Sequence, residues 1–87
     1  MSLTIALETI DNDIEMCKMW AHYWMTMAVT GVGKKRNMSY GDGTPFTDEQ
    51  KIEDCLNTAR NHLHRMSDLI DDKKSLIQKY EEMKKKI

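Results

Sequence analysis

The sequence predicts an all-α protein: an antiparallel two-helix hairpin with a long second helix, assembling into a helical bundle as a homo-oligomer. Three observations lead there. Apolar residues recur with a seven-residue period in two separate stretches, a glycine-bearing connection without any period divides them, and the whole chain is only 87 residues long. Sustained heptads mark helices that pack along a seam. A chain this small is marginally stable alone, and identical partners are the usual remedy. Residues 1–87 make one domain, with helices over about 3–29 and 47–86 and a loop over about 30–46.

In the first stretch Leu3, Leu7, Ile10, Ile14, Cys17, Ala21, Trp24 and Ala28 step alternately by four and three residues, a seam that predicts a helix. Ser2 or Thr4 can cap its start, and Glu8, Asp11 and Asp13 lie toward the end where the helix dipole favours negative charge. Up to Glu15 the outer face is polar. From Met16 onward Met16, Met19, Trp20, Tyr23, Trp24, Met25, Met27 and Val29 place apolar groups nearly all round. A helix of that kind is buried on more than one side, and the second helix of a hairpin covers only one. Met16, Trp20, Tyr23, Trp24 and Met27 are therefore expected at an interface between chains, where Trp and Met are enriched. Aromatic and Met stripes at helical spacing mark packing more often than a small-molecule pocket.

Thr30-Gly31 supplies a stop, with Gly31 suited to the left-handed position after a helix. The connection to Pro45 carries Gly33, Gly41 and Gly43, and Gly41-Asp42-Gly43 is a turn signal. It is longer than most links between helices, which points to function or to disorder. Thr47 then caps a second helix, Gln50 completes a capping box, and Asp48 and Glu49 suit its first turn. Along that helix the core positions are Ile52, Ala59, Met66, Lys73, Tyr80 and Ile87, alternating with Cys55, His62, Leu69, Leu76 and Met83. A further column, Leu56, Leu63, Ile70 and Ile77, widens the stripe beyond what a two-stranded coiled coil needs.

Folding the helices back about the middle of the connection sets Trp24 level with Ile52, Cys17 with Ala59, Ile10 with Met66 and Leu3 with Lys73. Leu76, Ile77, Tyr80, Met83 and Ile87 then extend beyond the first helix, an overhang of roughly 20 Å at the helical rise. Leu76, Ile77, Tyr80 and Met83 are expected to meet another copy or another helical protein.

The charges nearly cancel, 13 Lys plus Arg against 14 Asp plus Glu, so no overall field points to nucleic acid or an anionic membrane. Their placement is uneven, and the basic cluster Lys34-Lys35-Arg36 sits in the connection. Gly31-Val32-Gly33-Lys34-Lys35 is not a P-loop, because Ala28 and Lys35 stand where glycine and Ser or Thr are required and a helix end precedes it. Lys34, Lys35, Arg36 and Tyr40 could still hold a small anionic or nucleotide-like ligand. Three cations are too few for a nucleic-acid surface to be expected.

His22, His62 and His64 with Cys17 and Cys55 show no C-x-x-C or H-x-x-x-H spacing, and His22 falls away from Cys17 on its helix, so no metal is expected. His62 at a core position reads as a polar residue that fixes register. Neither cysteine has an oxyanion turn beside it, so no catalytic residue, enzyme activity or cofactor is expected. The nearly apolar run from Met19 to Val32 is too short to span a bilayer. No basic, apolar leader is visible, and two cysteines on apolar stripes fit reduced thiols, so a cytoplasmic location is expected. The function expected is a non-enzymatic helical interaction protein that self-associates and binds a protein partner. The alternative is an oligomeric binder that sequesters an anionic molecule through loop 34–40.

Overall fold

The computed structural model describes residues 2–86. The chain is all-helical, with two helices packed against each other. α1 runs Leu3–Val29, a short 3-10 turn follows at Val32–Lys35, and α2 runs Asp48–Lys85. The hairpin measures 62 × 27 × 17 Å, and α2 alone accounts for most of the long dimension at about 1.5 Å per residue.

The ends of the helices are set by local chemistry. Ser2 caps α1, its hydroxyl accepting from the Ile5 amide at 3.2 Å. At the other end Gly31, at φ 77°, takes the left-handed conformation that a Cβ would penalise. For α2 the capping box is complete: the Gln50 amide donates to Thr47 Oγ1 at 3.1 Å, and the Thr47 amide donates to Gln50 Oε1 at 2.9 Å. Asp48 and Glu49 occupy the first turn and Lys84 and Lys85 the last, each favourable to the helix dipole.

The seam runs where the heptads place it. Cys17 and Ala21 of α1 and Cys55 and Ala59 of α2 are its buried centre, and Leu7, Ile10, Ile14, Ile52, Met66 and Leu69 are half-buried along it. Small residues at the centre let the helix backbones approach closely.

The register differs from the sequence expectation by about one helical turn. Lys73 does not stand level with Leu3; its Nζ donates to Asp11 Oδ1 at 2.7 Å. Cys17 shares a groove with His62, and the His62 ring stacks on Trp20 with centroids 6.5 Å apart. The connection explains the shift. Instead of a symmetric bend, residues 31–36 double back along the start of α2, where Lys51 Nζ donates to the Lys34 carbonyl at 3.1 Å and Gly33 is buried against Cys55. The end of α1 is thereby carried past the start of α2. Leu76 is half-buried, Ile77, Tyr80 and Met83 beyond it are 39%, 43% and 65% exposed, and the stretch of α2 from Ile77 to Lys85 is about 13 Å long rather than 20 Å. Ile87, counted in the overhang from sequence, lies outside the described residues.

The rest of the connection folds as a tight turn. Tyr40 N–H donates to the Thr44 carbonyl at 2.8 Å and Phe46 N–H to the Met38 carbonyl at 2.9 Å. Ser39 and Pro45 form an isolated antiparallel bridge, and the Tyr40 and Phe46 rings lie 4.5 Å apart. Among the described residues no helix is long and apolar enough to cross a membrane.

Candidate functional site

The residues expected at an interface divide into three groups. Met16, Trp20 and Tyr23 lie outside the seam and are about half exposed, at 50%, 45% and 47%. Each precedes by one residue a seam position, Cys17, Ala21 and Trp24, so each is turned about 100° to the same side of α1. They form a continuous aromatic and Met surface. Trp20 meets Tyr23 edge-on at 5.6 Å, and Tyr23 meets Trp24 edge-on at 5.2 Å. Met19 joins Met16, Trp20 and Tyr23 around a shallow apolar pocket. Beside it runs a groove between the helices, lined by Asp13, Met16, Cys17, Trp20, His62 and Arg65. The second group, Trp24, Met27 and Leu76, is half-buried within the hairpin itself. At the far end of α2, Ile77, Tyr80 and Met83 are exposed.

The basic connection is less open than its sequence. Arg36 Nη1 donates to Asp54 Oδ2 at 2.8 Å and to Cys55 Sγ at 3.6 Å, and its guanidinium lies 4.6 Å from the centre of the Trp24 ring. The hydrogen bond to Asp54 raises the Arg36 pKa above its ordinary value, with partial burial opposing. Arg36 thus clamps the connection to both helices. Lys34 and Lys35 are exposed, and Lys34 lines a groove with Asp48, Glu49, Ile52, Glu53 and Leu56. Tyr40 is 46% exposed on the tight turn. In that turn Asp42 Oδ1 accepts from the Thr44 amide at 2.9 Å, and this bond lowers the Asp42 pKa. The four loop residues do not converge: Arg36 faces Asp54 and Trp24, Lys34 faces the acidic start of α2, and Tyr40 packs on Phe46.

The histidines and cysteines are dispersed. His22 lines a shallow groove with Met25, Thr26 and Val29 on the outside of α1, His62 stacks on Trp20, and both cysteines are free and buried. Among the described residues no three His, Cys, Asp or Glu side chains are grouped to hold a metal ion.

Two features had no sequence signal. Asp54 looks like any surface acid until the connection brings Arg36 to it across eighteen residues. Gly33 looks like loop punctuation, yet a Cβ there would lie 2.7 Å from Cys55 Sγ and 3.3 Å from the Met27 carbonyl oxygen. Comparisons of the chain with protein-family models, with curated proteins and with solved structures find no match.

Proposed function

We propose that this chain is a non-enzymatic helical interaction protein that self-associates and binds a protein partner. The observation that carries the reading is the aromatic and Met surface of Met16, Met19, Trp20 and Tyr23, all large, all exposed and all contiguous, on a hairpin whose buried hydrophobic core is Cys17, Ala21, Cys55 and Ala59. Large exposed apolar patches on a small protein mark contact surfaces, and Trp, Tyr and Met are the types that dominate the centres of such contacts. The exposed end of α2, with Ile77, Tyr80 and Met83, offers a separate stripe for a helical partner. Two free buried thiols suit a reducing compartment and hence a cytoplasmic setting.

The second reading, an oligomer that sequesters a small anionic or nucleotide-like molecule, draws on the exposure of Lys34, Lys35 and Tyr40 in the same connection. It draws less from the geometry, because Arg36 is taken up by Asp54 and Lys34 shares its groove with three carboxylates.

Native mass spectrometry of the protein as purified separates these readings. A homo-oligomer at its calculated mass is the expected result. A monomer at all micromolar concentrations would defeat self-association, and extra mass of a small anion, lost when Lys34, Lys35 and Arg36 are all changed to Ser, would favour the second reading.

A further inference from the structure

The hairpin is a flat ribbon, and each of its two faces carries exposed large apolar side chains. On one, here face A, lie Met16, Trp20 and Tyr23, each one residue before a seam position of α1, together with His62 and Arg65 of α2 across the groove. On the other, face B, lie Met25, Leu56 and Leu63, each one residue after a seam position, Trp24, Cys55 and His62. A step of one residue back and a step of one residue forward turn a side chain about 100° in opposite directions. In an antiparallel pair the same direction on each helix leads to the same edge. Met25, Leu56 and Leu63 are exposed to 45%, 42% and 40%, so face B is as open as face A.

The surface area shows how much covering the ribbon lacks. Its accessible surface is 6781 Å². A folded monomer of 10.2 kDa should expose about 5,300 Å² by the scaling of compact proteins. The excess is about 1,500 Å² per chain, whereas one standard interface covers about 800 Å² on each partner. One dimer contact leaves roughly half of the excess exposed; two remove it.

We infer that each chain uses both faces against further copies of itself, face A on face A of one neighbour and face B on face B of another. This rests on the self-association proposed above. The charges on face A fit pairing like with like. Face A carries Asp13 and Arg65 on the rim of one apolar groove, and a two-fold axis midway between them sets the cation of each copy against the carboxylate of the other, the reciprocal pattern of an isologous contact. Face B carries Ile52 and Leu56 between Lys34 and the carboxylates of Asp48, Glu49 and Glu53, and there the exposed Leu56, Leu63 and Met25 side chains supply the contact. Two different isologous contacts per chain close into assemblies with an even number of subunits, of which the tetramer is the smallest.

The test is the mass in solution, by native mass spectrometry and light scattering, of the full chain and three variants. The parent is expected as a tetramer or a larger even-numbered assembly. Trp20→Glu with Tyr23→Glu should leave dimers joined through face B, Leu56→Glu with Leu63→Glu should leave dimers joined through face A, and the four changes together should give monomers. All four positions are exposed in the hairpin, and circular dichroism checks that each variant keeps its helices. A parent that is only a dimer overturns the two-face inference while self-association stands; a parent that is only a monomer overturns both. A two-change variant that keeps the parent's mass, or falls directly to monomer, also overturns it. Because the mass of the parent decides by itself, a variant that fails to fold does not rescue the inference.

Discussion

Gly33 and Arg36 show how single residues fix the connection. Gly33 lies so close to Cys55 that no side chain fits, and the nearest neighbours are a fully buried sulfur and a backbone oxygen, neither of which can swing aside. Gly33→Ala should therefore destabilise the hairpin by about 1–3 kcal/mol, the usual cost of overfilling a packed site, read as a lower midpoint in urea. An unchanged midpoint would mean that the turn shifts freely off α2. Arg36 works differently, by pairing with Asp54 while lying over Trp24. Both partners are about one-third exposed, so the ion pair itself contributes little, and its effect lies in holding the chain direction after the 3-10 turn. Neither role was legible in the sequence, because each depends on a contact between segments that no local pattern relates. Met16, Trp20 and Tyr23 were legible as surface candidates because an apolar residue one step off the seam is conspicuous whatever the fold does elsewhere.

At the scale of elements, the helices follow from repeats and caps that are written locally. The alternating steps from Leu3 to Ala28 allow only one continuous face, and Thr47 with Gln50 specifies where α2 begins. Thr47→Ala removes the acceptor for the Gln50 amide and should cost about 1 kcal/mol, with the loss appearing as faster amide exchange confined to the first turn of α2. Loss of protection along all of α2 would instead mean that the cap supports the whole hairpin. Register was not legible in the same way. A symmetric bend is the simplest way to join two helices, but the buried contact of Gly33 with Cys55 pulls residues 31–36 alongside α2 and slides the helices by about a turn. Hence Leu76 belongs to the hairpin, and the overhang begins at Ile77.

For the whole molecule, the ratio of core to surface governs stability. Four small or medium residues form the buried hydrophobic centre, while both Trp rings and most of the methionines lie at or near the surface. If association supplies the missing burial, the melting temperature should rise with protein concentration, since anything that binds only the folded form stabilises it by mass action. Calorimetry or circular dichroism from sub-micromolar to high-micromolar concentration checks this, and a constant Tm would count against assembly as a source of stability. The all-helical class was legible because heptads fix it. The number and position of the contact faces were not, because they depend on which edge of the ribbon each off-seam residue reaches once the hairpin has closed.

Cys17 and Cys55 sit on opposite helices at the centre of the seam, 5% and 0% exposed, and both are free thiols. A thiol reagent can reach Cys55 only after α1 and the 3-10 turn have moved away from α2. The molecule thus contains its own reporter: alkylation of the native Cys55 thiol proceeds only through openings of the hairpin, so no cysteine need be introduced to follow them.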